Sequence, residues 1–210
     1  PLGFLVLFHY LNNRVMDQIQ LKSLMRIPLL GTIGYSDKNT NLLVAEYPRS
    51  LASESFRSLR SALFYIASEK KCKRILVTSS ISGEGKTYIS LNLASAMALS
   101  GKKTCIMGLD LRKPKLAKYL GVSNKKGLST YLVDKDSAAD IIVETPYENL
   151  YVVPSGAVPP NPAELLLKDK MGKLLDHLEE SFDIIIMDCP PVGLVSETMD
   201  LLRFSDVNLY

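Results

Sequence analysis

Eight residues constrain this chain more than any others: Ser80-Ile81-Ser82-Gly83-Glu84-Gly85-Lys86-Thr87. They lie between a β-branched run at 74–79 and a helical pattern at 86–100 that Gly101 closes. Their spacing follows the phosphate-loop pattern G-x-x-x-x-G-K-[ST], with Ser80 in place of the first glycine. Small residues let backbone N–H groups curl around phosphate, and the following helix adds its positive N-terminal dipole. Lys86 reaches the β and γ phosphates as a point charge, and the Thr87 hydroxyl takes a Mg²⁺ position. The candidate nucleotide contacts are therefore Ser82, Gly83, Glu84, Gly85, Lys86, Thr87 and Tyr88. The plain alternative is a glycine turn with a solvated lysine, and the strand–turn–helix setting argues against it.

Around this loop the pattern alternates between strands at 74–79, 104–107, 150–153 and 183–187 and helices at 86–100, 114–120 and 162–180. Alternation of this kind predicts an α/β fold, a parallel sheet with helices on both faces. A further strand begins near Asp206, which reads as a fold cut short at its C-terminus. Before the sheet, 12–30 contains a helix-like stretch, and 31–50 is rich in Gly, Ser, Asn and Pro, as a linker would be. Over 50–68, Phe56, Leu59, Leu63 and Ile66 recur at three and four, predicting an amphipathic helix whose apolar side packs on the sheet.

Open α/β sheets bind ligands at the carboxyl ends of their strands. Two acids end apolar strands there, Asp188 in Ile184-Ile185-Ile186-Met187-Asp188 and Asp110 after Thr104-Cys105-Ile106-Met107. Alone, each would read as a cap or turn former. Beside the phosphate loop they are candidate Mg²⁺ or water ligands, completing a set of Lys86, Thr87, Asp110 and Asp188.

Composition narrows the field further. At 210 residues and 47% hydrophobic, the chain can bury a core unaided, which excludes disordered and disulfide-framework classes. Cys72, Cys105 and Cys189 lie far apart, so zinc is not expected and reduced thiols are. Charge is uneven: residues 69–126 hold 13 Lys/Arg against 3 Asp/Glu, the remainder 12 against 19. Such a block fits nucleic acid, anionic lipid, phosphate-bearing ligands or a lysine-rich solvated face. No nucleic-acid recognition motif accompanies it. The opening run Leu2-Gly3-Phe4-Leu5-Val6-Leu7-Phe8 is too short to span a bilayer, and reads as a buried strand or the end of a membrane helix. Arg14, Lys22 and Arg26 after it fit a cytoplasmic flank.

Ser82-Gly83-Glu84-Gly85-Lys86-Thr87, Leu109-Asp110-Leu111-Arg112-Lys113-Pro114 and Ile185-Ile186-Met187-Asp188-Cys189-Pro190-Pro191 together resemble the three Walker-type motifs of the bacterial tyrosine kinases of capsule and exopolysaccharide assembly. Pro159-Pro160-Asn161-Pro162-Ala163-Glu164-Leu165-Leu166 is similar to that family's P-P-N-P-x-E-L-L loop, and Glu54-Arg57-Arg60 to its E-x-x-R-x-x-R oligomerisation motif. The resemblance implies a P-loop NTPase-like domain of the deviant Walker A branch over 49–210, after a membrane-helix end at 1–11 and a juxtamembrane linker at 12–48. It implies ATP and Mg²⁺ as cofactors and transfer of the γ-phosphate to tyrosines of neighbouring subunits. Lys86, Asp110 and Asp188 would be the catalytic residues, with Thr87, Asp110 and Asp188 at the metal. It implies a homo-oligomeric ring at the cytoplasmic side of the inner membrane, joined through Glu54, Arg57 and Arg60. The polysaccharide export machinery and a protein-tyrosine phosphatase would be its partners, and nucleic acid would not.

Two departures qualify that reading. Where the family's second motif reads D-x-D-x-R, this chain has Gly108-Leu109-Asp110-Leu111-Arg112, and its ten tyrosines are dispersed rather than gathered in a tail. A nucleotide-binding pseudokinase scaffold that sets polysaccharide chain length therefore stands as one alternative. A partition-type ATPase switch is the other, although Ile81 stands where such ATPases carry a second lysine. Asn124-Lys125-Lys126-Gly127 stops short of the guanine-reading N-K-x-D, which favours ATP over GTP.

Overall fold

The computed structural model describes residues 18–67, 73–193 and 197–210. It divides at Gly31. In the first unit the described structure is one helix, Gln18–Leu24. The membrane-helix expectation for 1–11 and Cys72 lie outside the described residues, among which no helix is long and apolar enough to cross a bilayer.

The second unit is built on a six-stranded sheet: β1 (Arg74–Val77), β2 (Thr104–Gly108), β3 (Val143–Glu144), β4 (Leu150–Val153), β5 (Ile184–Asp188) and β6 (Val207–Leu209). Their spatial order is β3-β4-β2-β5-β1-β6, parallel throughout except for β3, which runs antiparallel on the outer side of β4. Every residue of β2 and β5 is buried, as sheets covered on both faces require. Leu76, Cys105, Met107, Val153, Ile185 and Met187 share one face and pack in a cluster with the helices Leu128–Leu132 and Asp169–Ser181. By the period-2 alternation of strands, Val77, Ile106, Val152 and Ile186 point the other way. There the sheet meets the helix Lys86–Ala98, which touches β1, β2, β4 and β5.

Three expectations need correcting. The amphipathic helix, Leu51–Ala67, packs on Lys86–Ala98 rather than on the sheet, with Phe56 edge-on to Tyr88 at 5.9 Å between ring centroids. Residues 41–47 are part of the fold rather than linker: Leu42, Leu43 and Val44 are buried, and Asn92 ties them down. Its Oδ1 accepts from Val44 N–H, while its Nδ2 donates to the carbonyls of Asn41 and Tyr88, all at 2.9 Å. The single helix expected over 162–180 is two, Pro162–Leu166 and Asp169–Ser181, because Lys168 turns extended (ψ 146°) and starts the second.

Candidate active site

Parallel pairing brings the chemistry to one edge. Gly108 stands opposite Asp188 at the carboxyl ends of β2 and β5, and Val77 ends β1 on the other side of Asp188. The phosphate loop leaves β1 there. Gly83 and Gly85 have φ of 98° and 92°, the left-handed region that glycine enters without strain, and this curls the loop into the first turn of Lys86–Ala98. Glu84 braces the loop by accepting the Ile81 N–H at 3.0 Å. Gly85 caps the helix with no side chain, so the first amides are left for a ligand.

Lys86, Thr87, Asp110 and Asp188, chosen from the sequence, do converge. The Lys86 ammonium lies 3.4 Å from Asp110, and both side chains are mostly buried. Thr87 Oγ1 donates to Asp188 Oδ2 at 2.9 Å. Asp110 in turn accepts the Lys113 N–H at 3.0 Å, which fixes the loop after β2. Asp188 is only 3% exposed, and that burial pushes its carboxyl up to about 6, against the stabilising pull of Lys86 and two hydroxyl donors.

The second donor was not anticipated. Ser90 Oγ reaches Asp188 Oδ1 at 3.2 Å, and its place one helical turn after Thr87 is the signal that finds it. Ser155 is the other addition. A side chain at position 108 would meet Ser155 Oγ at 2.5 Å and Ser155 N at 3.3 Å, so Ser155 fills the space that the missing carboxylate would need. Only the arrival of the loop after β4 beside β2 reveals this.

Other expected residues lie elsewhere. The Tyr88 ring packs on Phe56 and lines a cleft of about 330 Å³ with Ile33, Tyr35, Ser36, Lys38, Glu84 and Gly85, a cleft that neither Asp110 nor Asp188 lines. Arg57 pairs with Glu54 at 2.8 Å within its own helix, and Arg60 donates to the Ala96 carbonyl at 2.9 Å. Cys189, next to Asp188, is buried with its thiol pushed well up by desolvation, which makes it a poor nucleophile.

A hydroxyl, two carboxylates and an ammonium suit Mg²⁺–nucleotide chemistry: Mg²⁺ prefers hard oxygen ligands and is held by one or two carboxylates together with substrate phosphates. Thr87, Asp188 and Asp110 are the residues that would hold it, and the buried Asp188 carboxylate is a group whose ionised form a cation would favour.

Comparisons with known proteins place the chain in a family. Residues 72–209 match the AAA domain family. The chain is 37% identical over 162 residues to a putative tyrosine-protein kinase, CapB, of Staphylococcus aureus, covering 77% of this chain and 71% of that one. It is 35% identical over 160 residues to the tyrosine-protein kinase etk of Escherichia coli, covering 76% of this chain but 22% of that protein's length. The solved kinase domain of that E. coli enzyme superposes with a TM-score of 0.86 at 31% identity, over 91% of this chain and 79% of the domain. A septum site-determining protein from Pyrococcus horikoshii, solved with Mg-ADP, superposes less closely, at TM-score 0.57 and 28% identity over 65% and 56% of the two chains.

Proposed function

Since the chain belongs to the bacterial tyrosine-protein kinases, we propose that it transfers the γ-phosphate of ATP to tyrosines of neighbouring copies of itself, in the service of capsular or exopolysaccharide export. The observation that carries the proposal is the convergence of Lys86, Thr87, Asp110 and Asp188 at the mouth of the phosphate loop. In this reading the amides from Gly83 to Thr87 and the Lys86 ammonium grip the β and γ phosphates. Mg²⁺ would supply charge neutralisation on the transferring group, held by Thr87 and the two aspartates directly or through water. The phenolic oxygen attacks phosphorus as the bond to the β–γ bridging oxygen breaks, ADP leaves, and the phenol's proton passes to water. The pocket's work is positioning and electrostatics rather than covalent catalysis.

The same reading makes Glu54, Arg57 and Arg60 the edge of a subunit contact within a ring, and a protein-tyrosine phosphatase the opposing partner. Membrane tethering at the cytoplasmic face is part of it, supported by the apolar run at 2–8 and the basic residues Arg14, Lys22 and Arg26 behind it. A second reading, a nucleotide-binding scaffold without transfer, is favoured by Gly108, where a second acid would otherwise assist; a general base contributes about 10²–10⁴-fold.

Incubation with Mg-ATP followed by phosphotyrosine detection decides between them. The parent is expected to give a signal that Lys86→Met lowers at least a hundredfold. Tight ATP binding with no phosphotyrosine supports the scaffold, and equal signal in both proteins contradicts the role given to Lys86.

A further inference from the structure

The polypeptide that leaves the site is rich in positive charge and has no acid of its own. Residues 111–133 contain no Asp or Glu, yet hold Arg112, Lys113, Lys115, Lys118, Lys125 and Lys126. The segment starts at Asp110, past the carboxyl end of β2, and is stitched back to the same edge beyond β4. Asn124 Nδ2 donates to the Gly156 carbonyl at 2.8 Å, and Gly156 N–H donates to Asn124 Oδ1 at 3.0 Å. Between those anchors Leu116, Ala117 and Leu120 are buried, which leaves Lys115 and Lys118 exposed. Lys126 is neutralised by Asp136 and Asp140, at 3.3 and 3.1 Å. Lys113, Lys115, Lys118 and Lys125 are all exposed and make no ion pair with any described residue. Four unneutralised ammonium groups thus lie on the segment that runs from Asp110 to its anchor beside the loop after β4.

We propose that this face docks an acidic protein segment bearing the acceptor tyrosine, so that substrates are selected by negative charge around the tyrosine. The inference rests on the kinase reading above and names its substrate class. Clustered charge of one sign beside a cleft raises the local concentration of the opposite sign and speeds encounter by about 10–10³-fold. Charges at such a rim act mainly on association and salt dependence. An anionic bilayer laid on the same face would cover the site that must admit the tyrosine, so a peptide is the better occupant.

The test uses the whole chain, Mg-ATP and two tyrosine peptides identical except for flanking Glu or flanking Gln. Binding of a third peptide, acidic with Phe in place of Tyr, is followed by fluorescence anisotropy, independently of transfer. The parent is expected to use the acidic peptide at least tenfold more efficiently in kcat/KM, and added salt should erase the preference. Lys115→Glu/Lys118→Glu/Lys125→Glu should abolish it while the KM for ATP and the rate on the Gln peptide stay unchanged; the matching Lys→Gln variant should give an intermediate preference. Equal use of both peptides by the parent overturns the proposal, as does a charge-reversed protein that keeps the preference. Binding to anionic lipid vesicles that the triple variant loses, with no peptide preference, overturns it in favour of a membrane. If neither peptide is phosphorylated but the Phe peptide binds the parent tenfold more tightly than the variant, the docking face stands and the kinase reading falls.

Discussion

Asp188 is the residue on which stability and function pull in opposite directions. Folding strips it of water, and its carboxyl rises from an ordinary value of 3.8 to about 6. A raised folded-state value means that the fold binds this proton more tightly than the unfolded chain does. The corresponding stability is present at low pH and is lost as pH rises from about 4 through 6. Asp188→Asn removes the buried charge and keeps an oxygen for Thr87 or Ser90. It is expected to stabilise the ligand-free protein by on the order of 3 kcal/mol at pH 8 and by almost nothing near pH 4, read from urea unfolding at both values. Mg²⁺-dependent nucleotide binding should move oppositely, strengthening between pH 5 and 7 as Asp188 loses its proton, and disappearing in the Asn variant. Gly108 makes a different point. Simple restoration of an acid at 108 is blocked by Ser155, so Gly108→Asp should cost about 1–3 kcal/mol by overpacking, measurable as a lower midpoint in denaturant. Gly108→Asp/Ser155→Gly should recover most of that loss.

At the scale of elements, the helix Lys86–Ala98 organises the molecule. Its first turn holds the phosphate site, one side meets four strands, and Asn92 anchors the segment before the amphipathic helix. Asn92→Leu fits the space but strands the Val44 N–H and the Asn41 carbonyl, at an expected cost of about 2–4 kcal/mol. Differential hydrogen exchange should localise the loosening to residues 41–47. These elements also show what could be read in advance. Buried parallel strands such as Ile184–Asp188 announce themselves as unbroken apolar runs ending in an acid, so the parallel strands and both carboxylates were legible, while the short antiparallel β3 was not. The phosphate loop was legible because its glycines and lysine are dictated by chemistry local in sequence. The docking of 41–47 was not, since it depends on one asparagine 48 residues away from Val44. The break at Leu167–Lys168 was equally hidden: nothing in the apolar spacing marks it, and Lys168 is held by the Leu132 carbonyl from another helix at 3.2 Å. Ser155 escaped for the same reason, because its role exists only where two loops meet.

For the molecule as a whole, the proposed ring makes nucleotide binding independent of assembly and trans-phosphorylation dependent on it. Glu54 is exposed and, among the described residues, pairs only with Arg57 of its own helix, an interaction worth a few tenths of a kcal/mol in an isolated helix. Glu54→Lys should therefore leave the fold and nucleotide affinity unchanged. Light scattering is expected to show it monomeric at concentrations where the parent assembles, with trans-phosphorylation reduced in proportion. The central claim is that one pocket gathers Lys86, Thr87 and both aspartates around a magnesium–triphosphate. A crystal structure with Mg²⁺ and a non-hydrolysable ATP analogue tests it most directly. The expected result places the metal about 2.1 Å from Thr87 Oγ1. Asp188 and Asp110 should then ligate it or its waters, and Lys86 should have moved from Asp110 onto the γ-phosphate. A triphosphate bound with either aspartate turned away from the metal, or with Lys86 still on Asp110, would contradict the account.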